Sequence, residues 1–153
     1  MTSRLVLLVD DDPSQRRLYN DILKYNGYLV VQAADGQDCL NFLYGNTPSL
    51  VVLDIMMPGI DGIECCRQIR KSKPIALPIL LHSAVFELDL LAEALKAGAD
   101  DYLVKSGSPK KLLERVRHWT QSGVRQMTAS ERDARIAEIE KMKAAGATTL
   151  AAS

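Results

Sequence analysis

The sequence predicts a doubly wound α/β fold, one five-stranded parallel sheet with helices on both faces. Three observations lead there. Five short apolar runs recur along the chain, each is followed by a stretch with helical spacing, and none of the runs alternates as a half-wetted strand would. Repeated strand-then-helix units join parallel strands through right-handed crossovers.

Leu5 to Val9 is the first expected strand. The helix after it spans residues 13 to 25, with Pro13 near its start and Gly27 past its end, and it places Leu18, Ile22 and Tyr25 on one side. Leu29 to Ala33 gives the second strand and residues 36 to 44 the second helix, closed by Gly45. Leu50 to Leu53 is the third strand; Ile63, Cys66 and Ile69 form the inward stripe of the helix beyond it. Ile79 to Leu81 precedes a helix carrying Leu88, Leu91, Ala92 and Leu95 before Gly98. Tyr102 to Val104 is the last strand, and Leu112, Leu113, Val116 and Trp119 line the fifth helix.

Residues 122–153 extend past this unit. Ser122 and Gly123 should break the fifth helix, and ASERDARIAEIEKMKAAG reads as an extra C-terminal helix capped near Ser130 and ended by Gly146. Ile136, Ile139 and Met142 give it only a narrow apolar edge, so docking on the first unit, pairing with another chain and projecting as a linker all remain open. The expected organisation is a globular domain over 1–121 and a helical tail or linker over 122–153.

A chain of 153 residues suits one compact domain with such an appendage. With 47% hydrophobic and 25% charged residues and a formal net charge of zero, it reads as a soluble globular protein without the basic excess of a nucleic-acid binder. Cys39, Cys65 and Cys66 lack the C-x-x-C spacing of zinc or redox sites and read as small core residues in a reducing compartment. The opening apolar stretch is too short for a signal sequence or membrane span and ends in acid, so the expected location is the cytoplasm, away from membranes.

In doubly wound sheets the ligand crevice lies at the carboxyl ends of the strands. Asp10 and Asp11 follow the first strand, Asp54 ends the third, Ser83 follows the fourth and Lys105 follows the fifth. The run LLVDDDPS is costly by itself, because two like charges near 4 Å repel by about 4 kcal/mol at an effective dielectric of about 20. Clustered carboxylates call for a cation, and hard oxygen ligands suit Mg²⁺, with Mn²⁺ as a substitute. A carboxylate can then accept a phosphoryl group if the metal and a cationic side chain offset its charge. Lys105 supplies that charge, Ser83 can donate to a phosphoryl oxygen, and Ala84 leaves room for the incoming group. Taken singly, strand-end acids are often helix caps, a lysine is often merely solvated, and a serine is often a turn residue; their placement at four strand ends favours a site.

These residues carry a resemblance. VDDDPSQRR (9–17), LDIMMPGIDG (53–62), HSA (82–84) and KAGADDYLVK (96–105) are similar to the four signature segments of the receiver domain of bacterial two-component response regulators, and the likeness covers roughly residues 4 to 121. It implies a flavodoxin-like, CheY-like sheet in the order 2-1-3-4-5. By the same resemblance Asp54 is the phosphoacceptor, Asp10 and Asp11 hold Mg²⁺ together with Asp54 and the Met56 backbone carbonyl, Ser83 and Ala84 meet the phosphoryl group, Lys105 binds it, and Tyr102 changes rotamer on activation. Asp12 lies one place beyond the metal pair and is expected to cap the first helix. Apart from that carbonyl, Met56 and Met57 read as core. The implied partners are a histidine kinase or histidine phosphotransfer protein and a downstream protein target, with a homodimer left open and neither nucleic acid nor membrane bound directly.

One departure concerns Lys105-Ser106-Gly107, where the family usually places proline after the lysine, often in a cis bond. A cis bond before serine costs about 2.5–4 kcal/mol, so a trans bond is expected. His82 reads as a strand-end residue, and His118 has no evident role. The leading function is a phosphorylation-controlled signalling switch rather than an enzyme. Alternatives are the receiver fragment of a longer regulator, a receiver-like scaffold that takes no phosphate, and a Mg²⁺-dependent phosphohydrolase. The last expects a second acid two residues beyond its nucleophile, where Met56 stands.

Overall fold

In a computed structural model of the chain, residues 4–72, 77–121 and 126–146 are described. The elements run β1 (Leu5–Val9), α1 (Pro13–Tyr25), β2 (Leu29–Ala33), α2 (Gly36–Leu43), β3 (Leu50–Asp54), α3 (Gly62–Ser72), β4 (Ile79–Ser83), α4 (Leu88–Ala97), β5 (Asp101–Val104), α5 (Lys110–Thr120) and α6 (Ala129–Ala144). The strands pair in parallel in the order β2-β1-β3-β4-β5, as the resemblance implied.

Alternate strand residues serve two cores. Leu7, Val9, Val51, Leu53, Ile79 and Leu81 pack beneath α2, α3 and α4, whereas Val6, Leu8, Leu50, Val52 and Leu80 pack beneath α1 and α5. A strand covered on both faces is apolar on both until its carboxyl end, which explains the missing alternation. Edge strand β2 is the exception: Leu29 is 55% exposed, and only Ala33 of that strand is buried.

The expected phase of α1 needs correction. Tyr19, Asn20 and Leu23 are buried, Ile22 is half-buried, and Leu18 and Tyr25 face solvent. The stripe 18, 22, 25 lies one residue away from 19, 23, about 100° around a helix of 3.6 residues per turn. Tyr19 decides the phase by packing edge-on against His82 of β4. Met56 also departs from the core reading: it is 63% exposed on the loop after β3, while Met57 is buried.

The cap of α6 is Thr128 rather than Ser130. The Thr128 hydroxyl accepts from the Glu131 N–H and the Glu131 carboxylate from the Thr128 N–H, a reciprocal capping box that fixes the start two residues earlier. The break expected at Ser122 and Gly123 lies outside the described residues. Of the three fates open to this helix, the structure shows docking: α6 lies along α4, Ile139 is fully buried, and Met127, Ile136 and Met142 pack against the core. Ion pairs Lys143–Asp89 and Lys96–Glu140 flank this contact.

Beneath α6 sits a buried carboxylate. The Asp100 side chain is wholly inaccessible and accepts from Arg70 of α3 at 2.7 Å, Arg132 of α6 at 3.0 Å, and the Ile79 and Met127 N–H groups at 2.8 Å each. Arg132 also donates to the Gly98 and Ala99 carbonyls, tying α6 to the end of α4.

Candidate functional site

The register brings the strand ends to one level: Val9 pairs with Leu53, Asp54 with His82, and Ser83 with Val104. β3 and β4 run slightly longer than expected, so Asp54 and Ser83 are the last residues of their strands. Sheet hydrogen bonding, rather than a loop, therefore fixes both. Gly62, the first residue of α3, abuts this edge, and a Cβ there would fall 2.1 Å from the Asp54 carbonyl oxygen and 2.7 Å from the Ile55 Cα. Only glycine lets α3 start so close to the end of β3.

Asp10, Asp11 and Asp54 each present a carboxylate oxygen within 4.8 Å of the other two. Asp10 and Asp54 are buried and Asp11 is exposed, so the cluster opens to solvent on one side. The third acid of the opening run has separate work: the Asp12 carboxylate accepts from the Ser14 and Gln15 N–H groups and caps α1. Asp12 itself donates its N–H to Asp10 Oδ1, fixing that carboxylate.

Lys105, 8% exposed at its side chain, reaches into this cluster. Its Nζ lies 2.8 Å from Asp10 Oδ2 and 3.4 Å from Asp54 Oδ2, and it also donates to Gln15 Oε1 at 2.7 Å. Burial pushes the Asp54 carboxyl up, Lys105 opposes the shift and the Asp10 charge adds to it, leaving the group at about 6. For Lys105 burial pulls downward, but the hydrogen bond to Asp10 and the charges of Asp54 and Asp10 outweigh it and raise the ammonium. The result is an all-oxygen anionic cluster with the Lys105 ammonium at its side. Such a set suits a hard divalent ion.

Residues 6–117 match the response regulator receiver domain. The chain belongs to that family. Response regulator MprA of Mycobacterium sp. (strain KMS) is 44% identical over 112 residues, covering 73% of this chain and 48% of that protein. The probable transcriptional regulator ycf27 of Guillardia theta is 42% identical over 116 residues, covering 76% and 45%. The match thus spans about half the length of these relatives. Among solved structures, a LuxR-family response regulator from Aurantimonas sp. SI85-9A1 aligns over 92% of this chain and 99% of its own with TM-score 0.75 and 32% identity. Response regulator TrrA from Thermotoga maritima, solved in complex with Mg²⁺–BeF, aligns over 76% and 98% with TM-score 0.69 and 35% identity.

The remaining receiver residues are placed as follows. Ser83 is fully buried and its Oγ accepts from the Val85 N–H; Ala84 beside it is exposed. Tyr102 is turned inward, 8% exposed, edge-on to Phe86, and its hydroxyl donates to the Val85 carbonyl. Both therefore hold the same loop residue. The Lys105–Ser106 bond is trans, and Gly107 takes a φ of +94°, which only glycine adopts readily. The three cysteines are buried, with the Cys65 and Cys66 thiols directed at different carbonyls, Gly36 and Ala97. Sequence reasoning did not single out Gln15 and Asp100. No spacing rule marks a glutamine in the first turn of a helix, and Asp100 lies in an A-D-D run that gives no sign of two arginines far away in sequence.

His82 shows the depth of this edge. Burial, aided by the Lys105 charge, pushes its imidazole down to about 3 from an ordinary 6.5. The unfolded chain therefore binds a proton between those values that the folded chain refuses. Stability from this group is present above pH 6.5 and falls as pH drops toward 3, by up to about 1.4 kcal/mol per unit. Asp54 acts oppositely, since its raised carboxyl takes a proton in the folded state first, between about 4 and 6. Comparing His82→Gln with wild type removes that shared contribution. In urea titrations from pH 6.5 to 4, wild type should lose more stability than the variant; parallel curves would contradict the neutral buried imidazole.

Proposed function

We propose that this receiver is a phosphoryl-accepting switch in which Asp54 takes the group from a phosphohistidine on a histidine kinase or phosphotransfer protein. As a P–O bond forms to an Asp54 carboxylate oxygen, the P–N bond breaks and its electron pair stays on the imidazole nitrogen of the donor. The observation that carries this reading is the Lys105 ammonium lodged against Asp10 and Asp54 at the edge of a three-carboxylate cluster. Asp10, Asp11, Asp54 and the Met56 carbonyl would hold Mg²⁺, a choice supported by the oxygen donor set and by the Mg²⁺–BeF complex of TrrA. The ion would supply charge neutralisation for the transferred group. Lys105 would bind the incoming phosphoryl oxygens, and Ala84 leaves them room.

The signal leaves through Ser83 and Tyr102. When Ser83 turns its hydroxyl to the phosphoryl group, its hold on the Val85 N–H is lost, and the Tyr102 bond to the Val85 carbonyl must readjust. That loop leads into α4, against which α6 is packed. The readout is then a protein contact rather than a reaction product, which makes this a signalling domain and not a conventional enzyme. Among the described residues no helix is long and apolar enough to cross a membrane. Partners in a phosphorelay would meet the receiver in the cytoplasm.

The lengths of MprA and ycf27, about twice the matched region, favour a second reading, in which the receiver controls a further part of a longer regulator. The two readings share the phosphorylation chemistry. Intact mass after incubation with acetyl phosphate tests it: addition of one phosphoryl group with Mg²⁺ and little without is expected. An unchanged mass in both arms would favour a receiver-like scaffold.

A further inference from the structure

The Lys105 ammonium has three N–H groups and among the described residues meets three acceptors, Gln15 Oε1 at 2.7 Å, Asp10 Oδ2 at 2.8 Å and Asp54 Oδ2 at 3.4 Å. An ammonium cannot accept, so the amide of Gln15 must present its oxygen. Two of the three acceptors belong to the acidic cluster. A cation among these carboxylates would draw on the same oxygens and repel the ammonium, and a phosphoryl group on Asp54 would replace its carboxylate as partner. Gln15 alone is neutral and lies outside that competition. Its place is secured from the sequence upward. Asp12 caps α1 through the Ser14 and Gln15 N–H groups, and Arg16, the next residue, donates to the Asp10 carbonyl at 2.7 Å. The first turn of α1 is thereby fixed against the end of β1.

We propose that Gln15 is a positioning residue for phosphoryl transfer, its amide oxygen holding the Lys105 ammonium at the acceptor while the carboxylates are engaged elsewhere. This rests on the phosphoacceptor reading of Asp54. In this proposal Gln15 acts through the lysine, the side chain its amide oxygen meets.

Two readouts test it. With Mg²⁺ bound and no phosphodonor, a nitrogen-15 spectrum selective for lysine ammonium groups should show a distinct Lys105 signal, slowed in exchange by the Gln15 amide oxygen. That signal should be lost in Gln15→Leu and kept in Gln15→Glu, which retains an acceptor of the same length. With Mg²⁺ and acetyl phosphate, Gln15→Leu should slow acyl phosphate formation about tenfold, the scale of one hydrogen bond to a charged group. On a Lys105→Ala background the same change should leave the residual rate unaltered. A Lys105 signal that persists in Gln15→Leu, or an equal slowing with and without Lys105, would overturn the proposal. If wild type gains no phosphate at all, the Asp54 reading fails, while the spectrum with Mg²⁺ still decides whether Gln15 holds the lysine.

Discussion

Asp100→Ala should lower the unfolding free energy by about 3–5 kcal/mol and release α6 from the receiver, because it removes one partner of a fully buried ion cluster. Arg70 and Arg132 would keep their charges without the carboxylate between them, and the Ile79 and Met127 N–H groups would lose their acceptor. The cluster is not a net source of stability in proportion to its contacts. Burial raises the Asp100 carboxyl despite the pull of Arg70, the two N–H groups and Arg132, and burial also lowers Arg70. Arg132 Nε is buried as well, with no partner among the described residues. The expected loss comes from stranding charges already desolvated. Urea unfolding gives the stability, and hydrogen exchange of α6 amides gives the docking. A loss below about 1 kcal/mol with α6 still protected would show that apolar contacts around Ile139 hold the helix unaided.

The same cluster shows where the sequence was legible and where it was not. Parallel strands buried on both faces announce themselves as unbroken apolar runs, so β1, β3 and β4 could be read from Leu5–Val9, Leu50–Leu53 and Ile79–Leu81. Strand order is a long-range property that periodicity does not encode, and it came from the resemblance. Helix phase was legible for α3 and α4, whose polar positions are distinct, but not for α1. There Leu18 and Tyr25 compete with Tyr19 and Leu23 for the inward face, and a contact with His82 of a distant strand settles it. The narrow stripe of α6 understated its docking, since Arg132 supplies what the apolar edge lacks by reaching Asp100, Gly98 and Ala99. At the site, the acids, Ser83 and Lys105 were legible because strand ends converge by rule in this fold. Gln15 was not, because its role depends on the rotamer of a lysine ninety residues away.

The phosphoacceptor assignment predicts complete loss of phosphorylation in Asp54→Asn with the fold intact. Asparagine nearly matches the carboxylate in shape, so packing at the end of β3 survives, but its amide oxygen is not the nucleophile that an acyl phosphate requires. The variant should also relieve a strained ionisation. Asp54 carries a carboxyl raised to about 6 by burial, so at neutral pH it is ionised at a cost the amide does not share. Metal-free Asp54→Asn should therefore be at least as stable as wild type in urea at pH 7, which separates loss of function from loss of structure. Lys105→Ala gives the graded counterpart: the acceptor remains, and transfer slows for want of the cation that stabilises the phosphoryl oxygens. The most direct measurement is peptide mapping of hydroxylamine-labile phosphate after incubation with acetyl phosphate and Mg²⁺. Label on the peptide containing Asp54 in wild type and none in Asp54→Asn is the predicted result. A folded Asp54→Asn protein that still gains labile phosphate to the wild-type extent would contradict it.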